Sequence, residues 1–235
     1  MQTTICIRNY ELVSPVFYAS YFGLTSLLSR LLEERRSICS VYRKTLPDID
    51  TYINAKNGRD GTALQAASAE GHEEIVRLLL DHGAEIDLTD QSALYMASQN
   101  GHEAIVQLLL QKGIEADAAG KFSKSPLEAA SSRGHQGVIQ LLLDHGANIN
   151  AASKDRQNMD GQSALGAASS RGLEATIQFL LVRGADINAN RGIALEEALK
   201  GVTRVPPGSF STRGPESTYK TKAYWLWHAR VATKS

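Results

Sequence analysis

Thr62-Ala63-Leu64-Gln65-Ala66-Ala67-Ser68 leads to Gly71-His72, then to Ile75-Val76 and Leu78-Leu79-Leu80, and closes on His82-Gly83-Ala84. The same order returns at Ser92-Ala93-Leu94 with Gly101-His102, at Ser125-Pro126-Leu127 with Gly134-His135, and at Ser163-Ala164-Leu165 with Arg171-Gly172. Ser14-Pro15-Val16 with Phe22-Gly23 and Leu31-Leu32 is a divergent copy. Starts at 14, 62, 92, 125, 163 and 193 differ by 48, 30, 33, 38 and 30, so the unit is near 33 residues with loop insertions. Such a period signals stacked units, none of which buries its apolar face alone.

Each copy opens on a hydroxyl residue (Ser14, Thr62, Ser92, Ser125, Ser163) able to accept a backbone N–H at a helix start. Pro or Ala follows, suited to the first helical position. Gln65 and Glu128 stand three residues after their caps, as a capping box requires. A short first helix is therefore expected from each hydroxyl to Gly23, Gly71, Gly101, Gly134 or Gly172. The second starts acidic at Glu73-Glu74, Glu103 or Glu174, matching the positive end of its dipole, and stops at Gly83, Gly113, Gly146 or Gly184. Apolar positions 75, 76, 78, 79 and 80 make a stripe too wide for one covering surface, so neighbours must cover it on two sides. Small residues on the first helices (Ala66-Ala67, Ala97, Ala129-Ala130, Ala167-Ala168) against leucines on the second are expected to bend the stack and leave a concave inner face.

The S/T-[AP]-L-x-x-A, G-H and I-V-x-L-L-L elements followed by H-G-A-x-I-N resemble the ankyrin repeat over about residues 14–200, as five copies and a trailing half copy. The G-[TQS]-[AS]-L-x-A-A-S wording is similar to ankyrin arrays in large multidomain proteins of filamentous fungi, often behind a nucleotide-binding switch domain. The resemblance implies an all-α repeat solenoid, stacked helix-turn-helix units with hairpin fingers. It departs from the family where Phe17, Gln65, Tyr95, Glu128 and Gly166 replace the histidine after T-P-L, which puts that histidine's bonds between neighbouring hairpins in question.

Residues 1–13 read as an N-terminal extension, 14–200 as the repeat domain and 201–235 as a separate tail. Ile53 to Thr62 and Ala116 to Ser125 match in length as fingers; Ile86 to Ser92 and Ile187 to Ile193 are three residues shorter, and Ile149 to Ser163 is five longer. Glu33 to Tyr52, with Arg35-Arg36 and Pro47, reads as an insertion within the first copy, expected to be a mobile excursion. The half copy Ala194 to Leu199 supplies one helix; beyond it the apolar side of Ile177, Leu180 and Leu181 is expected to lack cover.

The search for chemistry returns repeat positions. His72, His102, His135, His82 and His145 recur at fixed places as helix-end residues, and His72-Glu73-Glu74 lacks the second histidine of a zinc-protease helix. Glu73-Glu74, Asp81 and Asp144 read as solvated helix ends. Gly120-Lys121 lacks both the earlier glycine and the following hydroxyl of a phosphate loop, and no Ser lies in G-x-S-x-G. Asn148-Ile149-Asn150 and Asp186-Ile187-Asn188 read as turn chemistry at the finger base rather than calcium ligands. No catalytic, cofactor or metal site is expected.

Lys plus Arg equals Asp plus Glu at 25 each, which offers no pull toward nucleic acid or an anionic membrane. Residues 54–200 hold 13 basic and 19 acidic side chains, net −6, and residues 201–235 hold 6 and 1, net +5. In the tail, Pro206-Pro207-Gly208 begins a stretch read as disordered. Tyr224-Trp225-Leu226-Trp227 has three readings: a membrane contact, docking on the array, or a non-native extension. Two cysteines, Cys6 and Cys39, make no disulfide framework, and Arg8 and Glu11 interrupt any signal-peptide core, so the chain is expected to be soluble, intracellular and cytoplasmic, with the nucleus left open.

The family resemblance carries partner contacts to finger tips and first-helix ends. Here these are Arg59, Phe122 and Lys124 on fingers, and Ala69-Glu70, Gln99-Asn100, Ser132-Arg133 and Ser170-Arg171 on helix ends. These vary between copies while core positions barely change. The expectation is a monomeric, non-catalytic module binding a protein. The alternative is a substrate-recognition or regulatory segment of a larger enzyme or nucleotide-dependent switch.

Overall fold

Hydroxyl caps and glycines mark out the helices. The computed structural model describes residues 14–41, 49–57, 61–85, 93–117, 125–151 and 163–186. Among these lie α1 (Pro15–Tyr21), α2 (Thr25–Val41), α3 (Ile49–Ile53), α4 (Ala63–Glu70), α5 (Glu73–Asp81), α6 (Ala93–Asn100), α7 (Glu103–Gln111), α8 (Pro126–Arg133), α9 (Gln136–Asp144), α10 (Ala164–Ser170) and α11 (Glu174–Val182). The N-terminal extension, Ser92, the half copy and the tail fall outside the described residues.

Ser125 Oγ accepts from Glu128 N–H at 3.0 Å and Ser163 Oγ from Gly166 N–H at 3.2 Å. At Thr62 the box closes: its Oγ1 accepts from Gln65 N–H while Gln65 Oε1 accepts from Thr62 N–H at 2.8 Å. Glu128 does not return that second bond, and Ser14 stands at the start of α1 with no side-chain cap bond. His82 and His145 turn Nδ1 onto Leu78 O and Leu141 O at 2.8 and 2.9 Å, giving the last turns of α5 and α9 a partner.

The helices form two compact units, divided between Ile114 and Glu115. In the first, α4 packs between α1 and α6, each first helix pairs with its own second helix, and α5 lies against both α2 and α7. In the second, α8 packs beside α10, with α9 and α11 paired to them. The architecture is the all-α repeat solenoid class. Its core holds alanines of the first helices (Ala67, Ala97, Ala130, Ala168) and branched residues of the second (Ile75, Val76, Leu79; Ile105, Val106, Leu109; Val138, Ile139, Leu142), all buried.

Two expectations need correction. Residues 33–41 are not an excursion: they continue α2, which runs 17 residues, and α3 follows at Ile49–Ile53. The first copy has no glycine between Leu32 and Gly58 to stop the helix. Strong helix formers Glu33-Glu34-Arg35-Arg36 prolong it, with Arg30 and Glu34 paired one turn apart. Arg35 then lies over the Tyr52 ring, 4.9 Å from its centroid, tying α3 to α2; burial raises the Tyr52 phenol pKa while that guanidinium pulls the other way. At the last copy, Leu180 is wholly buried rather than under-covered, as are Leu79, Leu109 and Leu142 at the equivalent position. The exposed apolar groups there are Leu181 and, at 79%, Val182.

Bonds between copies come from residues whose role the sequence reading did not assign. His72 Nε2 lies 3.2 Å from Tyr21 O and His102 Nε2 2.9 Å from Ala69 O, so the G-H histidines make a bond between hairpins that the missing T-P-L-H histidine does not. Gln65 instead serves its own cap, and Phe17 stacks on Tyr21. Each imidazole sits over the preceding copy's glycine. A Cβ on Gly71, which has φ +84°, would lie 2.6 Å from the His102 ring, and one on Gly23 2.7 Å from His72. Only glycine meets both the left-handed backbone and the close approach.

At the finger base Asn54 Oδ1 accepts from Glu85 N–H at 2.7 Å, the Asp117 carboxylate from Asn148 N–H at 2.9 Å, and Asn150 Oδ1 from Asp186 N–H at 2.8 Å. Asn150, read as turn chemistry, thus also binds the following copy.

Candidate functional site

The first-helix ends stand just before a left-handed glycine, which turns the chain away and leaves the last two side chains at an edge. These pairs are Tyr21-Phe22, Ala69-Glu70, Gln99-Asn100, Ser132-Arg133 and Ser170-Arg171. The second member is exposed in every copy.

In the first unit the row runs from aromatic to polar. Tyr21 is 43% and Phe22 61% exposed; with Tyr18 they form a cluster in which Tyr18 stacks on Phe22 at 6.1 Å and Tyr21 meets Phe22 edge-on at 5.1 Å. Ala69 is half-buried, and its carbonyl oxygen is a joint that receives both His102 Nε2 and Asn100 Nδ2, the latter at 2.8 Å. Asn100, a candidate contact residue, therefore holds the preceding copy with its amide. Gln99 donates to Tyr95 OH at 3.2 Å, and Glu70 reaches solvent.

In the second unit the row is basic. Ser132 and Ser170 donate their hydroxyl protons back to Ala129 O and Ala167 O at 2.8 and 3.0 Å. Arg133 and Arg171 are exposed and make no ion pair among the described residues. Arg59, Phe122 and Lys124 lie outside the described residues. The first finger is bracketed where Asn57 N–H donates to Gly61 O at 2.9 Å.

Tyr18, Tyr21 and Phe22 escaped the sequence reading, although Tyr21 and Phe22 hold the same register before Gly23 that Ala69 and Glu70 hold before Gly71. Register alone finds those two; the divergence of the first copy hid them. Among the described residues no group of three His, Cys, Asp or Glu side chains could hold a metal ion, and no helix is long and apolar enough to cross a membrane.

The profile of a family described as ankyrin repeats (3 copies) matches residues 16–120 and 115–191. The chain is also similar to the azaphilone pigments biosynthesis cluster protein L of Monascus ruber, 38% identical over 76 residues. That alignment covers 32% of this chain and 14% of the relative's length.

Proposed function

From a chain that belongs to the ankyrin-repeat family, whose arrays are generally protein–protein interaction modules and typically non-catalytic, we propose a module that holds a protein partner on its first-helix ends and finger tips. One contrast within the chain carries this reading. The position before the turn glycine holds Phe22, Glu70, Asn100, Arg133 and Arg171, all exposed, while three positions earlier every copy keeps a buried alanine: Ala19, Ala67, Ala97, Ala130 and Ala168. Packing fixes the second set, and solvent leaves the first open to selection by a partner. Aromatic residues and arginine are also the types enriched at protein interfaces. The module works as a monomer without metal or cofactor; its partner is a protein, not nucleic acid or membrane.

The test is affinity capture from a cell extract with three immobilised chains of equal helicity: native, Phe22→Ala with Arg133→Ala, and Arg77→Ala on the outward side of α5. A protein held by the native and Arg77→Ala chains and lost from the helix-end variant supports the reading. Capture that ignores the helix ends contradicts it.

A second reading takes the array as part of a longer protein, as the matched region is in the fungal relative, where it spans 14% of the length. Here the array is the recognition segment of a larger enzyme or nucleotide-dependent switch, and the purified chain turns over neither ATP nor GTP. Hydrolysis that persists through a second purification would overturn both readings.

A further inference from the structure

We propose that Arg133 and Arg171 together read two carboxylates of an acidic peptide segment. This rests on the protein-binding reading and supplies the partner's chemistry at one part of that surface. The two arginines occupy the same register, before Gly134 and Gly172, on helices α8 and α10 that pack side by side. Both are exposed with no ion pair among the described residues, whereas Arg183 in the same unit is engaged by Asp144. With the Ser132 and Ser170 hydroxyl protons turned onto their own helices, the guanidinium groups are the side-chain donors that these two helix-end pairs leave exposed. The carboxylate of α8, Glu128, is 1% exposed and sits in the first turn, at the far end of the helix from Arg133.

The plain alternative is that a cation merely complements the negative end of a helix dipole. The other copies argue against it, because the same position carries Phe22, Asn100 and even Glu70. The dipole does not require arginine there.

Neighbouring packed helices lie about 8–10 Å apart. A polyproline-type peptide presents the same face every three residues, about 9 Å along its axis. An acid-x-x-acid segment in that conformation brings one carboxylate to each guanidinium, whose forked donors fit a carboxylate in bidentate fashion. Each contact is solvent-exposed and so weak and salt-sensitive; selectivity comes from having two at a fixed spacing.

The experiment is fluorescence anisotropy of the full chain with four labelled probes. They are a proline-rich peptide with Glu at every third position, its Gln counterpart, a peptide of the same composition with the glutamates contiguous, and a single-stranded oligonucleotide of equal net charge. The spaced Glu peptide is expected to bind best and to weaken with added salt. Arg133→Gln and Arg171→Gln each weaken it about three- to five-fold, the double variant weakens it about ten- to twenty-five-fold, and Arg77→Gln leaves it unchanged, all at native helicity. Equal binding of the Gln peptide, tighter binding of the oligonucleotide, indifference to the double variant, or no binding of the spaced peptide overturns the inference. In those cases the capture experiment can still succeed. Capture that ignores the helix ends while the spaced peptide binds as expected sinks only the wider reading.

Discussion

In the first unit the α1/α4 and α4/α6 junctions are closed by an imidazole over a glycine, His72 on Gly23 and His102 on Gly71, whereas Leu173 stands in that place between α8 and α10. An imidazole donates to one carbonyl at one distance and so fixes how one hairpin sits on the next. Leucine offers only contact: a Cβ on Gly134 would lie 3.6 Å from Leu173 Cδ1, an ordinary van der Waals distance. At the turn glycine the units thus differ, an imidazole bonded to the preceding copy's carbonyl in one and Leu173 with Thr176 at van der Waals distance in the other. In the second unit the directional bonds between copies instead join Asn150 to Asp186 and Asp144 to Arg183. The exposed edges differ as well, aromatic and acidic at Tyr21, Phe22 and Glu70, basic at Arg133 and Arg171.

The comparison breaks first if the cores differ. Leu109→Ala and Leu142→Ala, both at wholly buried positions, are each expected to destabilise by about 2–5 kcal/mol in urea unfolding through lost burial and a cavity. A midpoint unchanged by either would contradict its place in the core. Next come the glycines. Gly134→Ala carries only the left-handed backbone penalty, about 1–2 kcal/mol, and Gly71→Ala adds a collision with the His102 ring. Equal losses would show that the ring moves away freely and that the junctions are not different in kind.

The helix boundaries were legible because caps and turn glycines act within a few residues: Thr62 and Gln65 close the expected box, Gly71 and Gly146 take the left-handed turn, and Ser125 caps its helix although Glu128 does not complete the box. Two kinds of feature were not. The length of α2 depends on a stop signal that the first copy lacks, and a missing glycine is harder to read than a present one. The bonds of His72, His102 and Asn54 reach residues 29 to 51 positions away. Which partner each meets is set by how copies stack, and no short motif carries that. The helix-end row was legible in four copies by register and lost in the first.

A smaller effect sharpens the contrast directly. His102→Leu makes a first-unit junction resemble the second and is expected to lose about 1 kcal/mol with the bond to Ala69 O; Leu173→His is expected to gain about as much if it recreates that bond at Ser132 O. Loss of stability in both would mean that each junction is shaped for its own side chain. The smallest effect concerns a feature the units share. Ser20, Ser68, Ser98 and Ser131 bury hydroxyls with no hydrogen-bond partner, three positions before the glycine. Ser98→Ala and Ser131→Ala are therefore expected to lie within about 0.5 kcal/mol of native or slightly above it. A clear loss would reveal a partner for the hydroxyl.

The most direct test of the central claim, that variable first-helix ends on a fixed scaffold form the binding surface, is hydrogen–deuterium exchange of the chain with and without the protein it captures. The account predicts new protection at the C-terminal turns of α4, α6, α8 and α10 and the glycines that follow, with α5, α7 and α9 unchanged. Protection confined to those second helices would contradict it.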